Sequence, residues 1–231
     1  MHKGFTIIEL LISILISSII MGLVYTLFIS LQKNHMEIVK ISDMYQNTRS
    51  AMDAITRDLK ITGADPQLKI FSNTNPPIKT AGTDEIHIEM DITDLDDSGN
   101  PDGIISGTKE SVIYSLYDSG NDEDSDLGRK REGGNNIAVS ENIELLRFYY
   151  FDKDLNLLDD STGKITTPDN IRAIQVVVLG RVEREDRSYK NNKIYEVTLA
   201  SGNKTTVFKA TGDGYKRYLL SSIVHLQNLN Y

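Results

Sequence analysis

Residues 3–10 read KGFTIIEL, and they open an apolar stretch that lasts to Leu31. No residue from Leu10 to Gln32 is charged. At about 1.5 Å rise per residue that stretch forms a helix of roughly 35 Å, which is long enough to span a bilayer. The single carboxylate, Glu9, costs about 2.5 to 3.5 kcal/mol on insertion scales when it lies inside a membrane helix. We therefore expect the Glu9 carboxylate to have a partner group that neutralises it and to serve a function.

Cleavage of the chain between Gly4 and Phe5 would create such a partner. The new α-ammonium of Phe5 would lie one helical turn from the Glu9 carboxylate. A pair of this kind attracts by roughly 4 kcal/mol at about 4 Å and an effective dielectric of about 20. The same ammonium could instead neutralise Glu9 of a neighbouring subunit in a helix bundle. The residues alone leave both pairings open.

Residues 3–10 resemble the processing site of type IV prepilins and type II secretion pseudopilins. In that family a membrane peptidase cleaves after the glycine and methylates the new N-terminal phenylalanine, which the resemblance assigns to Gly4 and Phe5. An ordinary signal peptide fits poorly, because the apolar stretch is longer than the usual core of about 7 to 15 residues and no small-x-small site closes it. A plain signal anchor fits the length but leaves Glu9 unexplained.

Composition limits the remaining function classes. The chain has 231 residues, a formal charge of −8 and no cysteine. About 200 residues beyond the apolar stretch are enough for one domain with a core. The acidic balance argues against a nucleic-acid partner or an anionic lipid surface. Gly212–Gly214 is only a fragment of a phosphate-binding fingerprint, and the sequence has no serine nucleophile elbow. We therefore expect a protein that is not an enzyme.

The helical period continues after Leu31 in a more polar sequence. Gly63 and Pro66 are the residues that stop it, so we expect an unbroken helix from Phe5 to Ile61. A coiled coil is the alternative interpretation. This period forms an apolar stripe, because apolar residues recur at spacings of three and four, as is typical of an amphipathic helix. The stripe consists of Ile38, Ile41, Tyr45, Thr48, Met52, Ile55 and Leu59.

The rest of the chain predicts an antiparallel sheet, because short β-branched and aromatic runs alternate with turn residues. The expected fold class is α+β, with the long N-terminal helix packed on a β-sheet head. Residues 216–229 are compatible with a strand or a helix. The candidate strands are 85–90, 111–117, 145–151, 171–179, 194–199 and 205–210. The expected regions are a leader (1–4), a transmembrane or filament-core helix (5–31), an amphipathic half (32–62) and the head (63–231).

Three further stretches are similar to PilW-type minor pilins, which are related to the J-type pseudopilin of type II secretion. They are residues 47–59 followed by Gly63, residues 141–152, and residues 216–228, where Gln227 replaces the family's more usual arginine. The resemblance implies a pilin fold and a non-enzymatic subunit that helps prime or cap type IV pilus assembly after processing. The implied partners are the prepilin peptidase, other major and minor pilins, the inner-membrane assembly platform and, before assembly, membrane lipid.

The resemblance also implies a location. We expect a single pass through the inner (cytoplasmic) membrane with the head outside the cytoplasm, followed by transfer to a pilus or pseudopilus at the cell surface. Two alternative functions stay open. One is a J-like pseudopilin of type II secretion, and the other is a membrane-anchored extracytoplasmic module that binds its ligand with calcium. The second would work without processing at Gly4.

An acidic loop, residues 94–102, has the spacing of a calcium-binding EF-hand loop, in which alternate residues supply oxygen ligands and a glycine permits the turn. Ile105 stands where that loop has its bidentate glutamate. Glu110, or Asp91 from the preceding strand, would then complete the shell. A solvated turn is the alternative interpretation. The predicted Ca²⁺ ligands are Asp94, Asp96, Ser98, Asn100, Asp102 and Glu110.

Overall fold

The structure is a computed structural model. It describes residues 6–72, 74–93, 99–105, 109–118, 124–131, 134–158, 165 and 168–229. The chain divides into two compact units, Met1–Ser42 and Asp43–Tyr231.

A single helix, α1, spans Ile7–Ile61 and agrees with the predicted helix apart from its first residues, where Phe5 lies outside the described residues. In the first unit almost every side chain of α1 is exposed, and most are large and apolar. This part is long and apolar enough to cross a membrane, by length and composition. Apolar surface of this extent requires lipid or other helices as its surroundings.

In the second unit one face of α1 is buried, at Met44, Thr48, Ala51, Met52, Ala54, Ile55 and Leu59. The predicted stripe is confirmed for its C-terminal members, but Tyr45 is 41% exposed and Ile38, in the first unit, is exposed as well. The helix ends where predicted. Gly63 has a φ of 77° and donates its N–H to the Glu89 carbonyl at 3.0 Å, so the chain leaves the helix in the left-handed conformation that glycine permits.

Eleven strands and one short 3₁₀ helix, Pro168–Asn170, follow α1 in the part of the chain that the structure describes. Every strand pairing is antiparallel. The strands are β1 Ile78–Ala81, β2 Ile86–Glu89, β3 Ser111–Tyr117, β4 Asp126–Lys130, β5 Ile137–Ser140, β6 Ile143–Phe151, β7 Leu157–Leu158, β8 Ala173–Arg181, β9 Ile194–Thr198, β10 Lys204–Lys209 and β11 Arg217–His225.

The strands form three sheets. Strands β1 to β5 make a five-stranded meander in sequence order, and β9 and β10 make a separate hairpin. The third sheet has the order β11-β8-β6-β7, so the C-terminal strand pairs with β8 at one edge. Residues 217–225 are thus a strand, which settles the open prediction for the last segment.

The core has two layers around strand β8, whose residues are buried on both faces apart from the terminal Arg181. One layer joins the buried face of α1 to both larger sheets, and the other joins β8 to the β9–β10 hairpin. Gly180 of β8 allows α1 to approach closely. A methyl group at Gly180 would lie 2.0 Å from the Thr48 hydroxyl oxygen.

A polar contact fixes α1 against the meander. The Tyr114 hydroxyl of β3 donates to Asp58 of α1 at 2.7 Å, and the Arg129 guanidinium of β4 donates to the same carboxylate oxygen at 3.2 Å. Burial raises the pKa of Tyr114 well above its usual value, with a further contribution from the negative charge of Asp58. Tyr114 therefore stays protonated and acts as the donor at physiological pH.

Candidate functional site at the start of the helix

The first turn of α1 forms a reciprocal pair between Thr6 and Glu9. The Thr6 backbone N–H and its hydroxyl both donate to Glu9 Oε2 at 2.9 Å, and the Glu9 N–H donates back to the Thr6 hydroxyl at 3.3 Å. Ile7 is the first helical residue, so Thr6 is the N-cap and Glu9 is the third helical position. This geometry is a capping box. It satisfies helix donors that would otherwise lack partners.

The capping box also places the Glu9 carboxylate at the positive end of the helix dipole, which favours a negative charge there. The predicted partner of Glu9 was the Phe5 ammonium, and its bonds with Thr6 were not predicted. The signal was present, because Thr-x-x-Glu ahead of an apolar run is a capping-box sequence. Gly4 and Phe5 lie outside the described residues, so their processing and the Phe5–Glu9 pairing stay predictions.

Hydroxyl side chains along the apolar part of α1 bond to the helix itself. Ser13 donates to the Glu9 carbonyl, Ser18 to the Leu15 carbonyl and Thr26 to the Leu23 carbonyl, each at 2.8 Å. Internal bonds of this kind satisfy polar groups where no water is present. These three hydroxyls are therefore compatible with a lipid environment.

The structure describes three of the predicted calcium ligands, Asn100, Asp102 and Glu110. Glu110 is buried and its Oε1 accepts the backbone N–H groups of Ile92 at 2.9 Å and Thr93 at 2.8 Å. Asp102 Oδ1 accepts the N–H of Ile104 at 2.9 Å, whereas Asn100 is exposed. Three further predicted ligands lie outside the described residues, namely Asp94, Asp96 and Ser98.

Asp91 joins this group at the base of the acidic loop. Its Oδ2 accepts the N–H of Gly103 at 3.0 Å. Burial raises the pKa of Asp91, and the negative charges of Glu110 and Asp102 act in the same direction. No three His, Asp or Glu side chains among the described residues form a group that could hold a metal ion. The predicted calcium site therefore remains a prediction.

A partly buried ion cluster in the head was not predicted from the sequence. The Arg217 side chain donates to both oxygens of Asp213, at 2.6 and 2.8 Å, and to both oxygens of Glu144. Its guanidinium also lies over the Phe208 ring at 4.9 Å. The cluster ties β11 to β6, to the loop before β11 and to the β9–β10 hairpin, so its role is structural. Glu144 lies 73 residues from Arg217 in sequence, so no local pattern reveals their pairing, although Asp213 is only four residues from Arg217.

Comparison with known proteins supports the interpretation of the N-terminus. Residues 1–25 match the family described as the prokaryotic N-terminal methylation motif. No curated protein matches the chain. Among solved structures, a type IV-like pilin from Thermus thermophilus is similar, with 14% sequence identity, coverage of 80% of this chain and 97% of that one, and a TM-score of 0.44.

The matched residues contain Thr6 and Glu9, and they continue into the exposed apolar part of α1. The methylation motif implies processing by a prepilin-type peptidase, and the long apolar helix is consistent with membrane anchoring. Residues 1–25 therefore carry the methylation motif of prepilin-type proteins, at the start of a chain whose N-terminal helix is followed by antiparallel β-strands.

Proposed function

We propose that this protein is a minor pilin, a non-enzymatic structural subunit that helps prime or cap type IV pilus assembly after prepilin peptidase processing. The observation that carries the proposal is the capping box between Thr6 and Glu9, which lies inside the matched methylation motif at the start of an exposed apolar helix. A carboxylate held at that point is expensive in lipid unless it serves an interaction.

In the proposed sequence of events, the chain is first anchored in the inner (cytoplasmic) membrane with its head outside the cytoplasm. The peptidase then cleaves between Gly4 and Phe5 and methylates Phe5. Thr6 becomes the second residue of the mature chain and keeps the Glu9 carboxylate oriented. The Phe5 ammonium then pairs with Glu9, either in the same helix or in a neighbouring subunit.

Assembly follows from the exposed apolar helix. Its side chains leave lipid and pack against the helices of other major and minor pilins, so packing and interhelical polar contacts supply the driving force. The inner-membrane assembly platform would act at this step. A J-like pseudopilin of type II secretion would use the same residues in the same way, and its filament would be the pseudopilus.

Two substitutions at Glu9 test the proposal in cells that assemble pili. Glu9→Ala should leave membrane insertion and cleavage intact, because removal of a buried charge makes insertion easier. Incorporation into filaments should fall by about tenfold or more, since loss of roughly 1.4 kcal/mol of pairing already corresponds to a factor of ten. Glu9→Asp keeps the charge and should retain part of the incorporation. The measurement is the ratio of this chain in sheared filaments to the chain in membranes, by quantitative immunoblot.

Thr6 supplies a matched pair of variants. Thr6→Ser keeps the hydroxyl that bonds to Glu9 and should behave like the wild type, whereas Thr6→Val keeps the shape and loses those bonds. We expect reduced incorporation for Thr6→Val only. Normal incorporation of both Glu9→Ala and Thr6→Val would contradict the proposed role of this pair in assembly.

A further inference from the structure

Two carboxylates are fully buried at the base of the connection between β2 and β3. Asp91 follows β2 and Glu110 precedes β3, and the Met90 N–H donates to the Glu110 carbonyl at 2.9 Å. Both acidic residues have 0% of their surface exposed. Charged side chains are almost never buried to this extent unless other groups compensate the charge. The hydrogen bonds of each carboxylate therefore decide how well it can remain charged.

Main-chain donors compensate the charge of Glu110. Its Oε1 accepts the N–H groups of Ile92 at 2.9 Å and of Thr93 at 2.8 Å, and the Thr93 hydroxyl lies 3.4 Å away. Several donors on one carboxylate stabilise its charged form. Because Ile92 directly follows Asp91 in the chain, the Glu110 carboxylate is a negative neighbour of Asp91.

The Asp91 carboxylate has fewer donors than that of Glu110. Its Oδ2 accepts the Gly103 N–H at 3.0 Å, whereas Oδ1 is buried and has no hydrogen-bond partner among the described residues. A charged carboxylate in this state costs free energy, because water no longer solvates the bare oxygen. A bound proton removes the charge and lowers that cost.

The charged groups around Asp91 increase the cost of its own charge. Burial is the largest influence that raises the pKa of Asp91, and the negative charges of Glu110 and Asp102 add to it. Lys69, on the loop after α1, donates its ammonium to the Gln67 side chain at 2.6 Å. No ion pair joins Asp91 to a cation within the described part of the chain.

We propose that Asp91 is a proton-binding site that makes the junction between α1, β2 and residues 99–105 sensitive to pH. The Asp91 N–H donates to the Ala64 carbonyl at 2.7 Å, just beyond the end of α1. Its side chain binds Gly103, so Asp91 joins all three segments. Uptake of a proton removes one of two neighbouring buried negative charges, and loss of that proton at higher pH weakens the junction.

Linkage gives the direction of the pH effect. A carboxyl group whose pKa is raised by folding destabilises the folded protein above that raised value and has no effect below its ordinary pKa of 3.8. The contribution of Asp91 to the stability of the head should therefore improve as the pH falls from neutral toward 3.8. This effect does not depend on cleavage at Gly4, so its test is separate from the test of the proposed function.

Amide resonances of the full-length protein in detergent micelles report on the proton directly. In a pH titration, the amide proton of Gly103, which bonds to Asp91, should shift with a midpoint above 3.8. The Ile70 amide, which bonds to Asp65 at 2.7 Å, is the matched control. It should titrate below 3.8, because hydrogen bonds from Ile70 and Phe71 lower the pKa of Asp65 although burial opposes them.

Two variants assign the titration to Asp91. Asp91→Asn cannot ionise, so the shift of the Gly103 amide with a midpoint above 3.8 should disappear. Glu110→Gln removes the negative neighbour and should move the midpoint of the Gly103 amide down toward 3.8. A Gly103 amide that titrates at or below 3.8 in the wild type would overturn the proposal, and so would an unchanged titration in Asp91→Asn.

Thermal unfolding tests the energetic consequence. The melting temperature of Asp91→Asn minus that of the wild type should be more positive at pH 7 than at pH 4.5, by about 2 °C or more for a domain of this size. Comparison of this difference at two pH values cancels any loss that the substitution causes at both. Asp65→Asn is the matched control and should show no such gain at pH 7, because the charge of Asp65 is stabilising. An equal difference for Asp91→Asn at both pH values would overturn the proposal.

Discussion

Arg217 is a buried charge that three segments of the head share. Only 2% of its side chain is exposed, and it makes two-pronged contacts with Asp213 and with Glu144. A planar guanidinium is suited to such contacts, whereas a lysine ammonium presents a single point of charge. The contacts of Arg217 with both carboxylates therefore depend on its shape as well as on its charge.

Substitution of this residue gives the first prediction at the residue scale. Arg217→Lys should lower the free energy of unfolding by about 2 to 4 kcal/mol, because the Asp213 and Glu144 carboxylates would each lose hydrogen bonds that the guanidinium donates. Arg184→Lys is the matched control, since Arg184 and its partner Glu183 are both largely exposed. That change should stay within about 0.5 kcal/mol. Urea unfolding of both variants in detergent checks the prediction, and equal effects would contradict it.

A second prediction concerns pH. Hydrogen bonds from Arg217 lower the pKa of Asp213 below its ordinary value of 3.8. A group with a lowered folded pKa contributes stability that is present above its ordinary pKa and lost as the pH falls through the folded value. Asp213→Asn should therefore be less stable than the wild type at neutral pH, by about 2 kcal/mol. The difference should shrink below pH 3.8, as urea midpoints across the acid range would show, and a constant difference would contradict it.

At the scale of elements, the helices and strands that could be predicted are those whose own residues carry a clear apolar pattern. Helix α1 has its own periodicity and its stop at Gly63, and the apolar strand β8 is recognisable from its β-branched residues. Strand β4 was missed because it contains Asp126, Gly128 and charged residues at its end. Its strand conformation comes from pairing with β3 on one side and β5 on the other. The other missed strands are β1, β5 and β7, all short.

The functional residues also fall into two groups: those recognisable from the local sequence, and those that only the fold brings together. Glu9 was identifiable because a lone carboxylate interrupts an apolar run, and its partner Thr6 is three residues away and also encoded locally. The Arg217 cluster could not be predicted, because Glu144 lies 73 residues from Arg217 in sequence. Asp91 and Glu110 were identifiable as acidic residues, but their burial follows only from the pairing of β2 with β3.

The packing of α1 against β8 gives a prediction about two elements. Gly180→Ala should destabilise the head by about 1 to 3 kcal/mol, since the added methyl group would overlap the Thr48 hydroxyl. Removal of that hydroxyl in a Gly180→Ala, Thr48→Ala double variant should recover much of the loss. Gly22→Ala is the control, because nothing lies within 4 Å of a methyl group there. Additive effects of the two substitutions in urea unfolding would argue against this close contact.

At the scale of the whole molecule, the chain joins two kinds of surface that suit different surroundings. The helix residues from Ile7 to Leu31 have exposed apolar side chains, whereas the head buries many of its apolar side chains in a core of its own. In the proposed function, the helix remains in lipid until it can pack with other helices. Processing at the start of the helix is the step that separates such a protein from a permanently anchored one.

The N-terminus of the mature protein is therefore the most direct test of the central claim. Mass spectrometry of the chain, isolated from cells with an active prepilin peptidase, should find a protein that lacks residues 1–4 and begins with N-methylated Phe5. The matched sample from cells without the peptidase should retain Met1. Recovery of only the intact chain from cells with a working peptidase would contradict the proposed processing between Gly4 and Phe5.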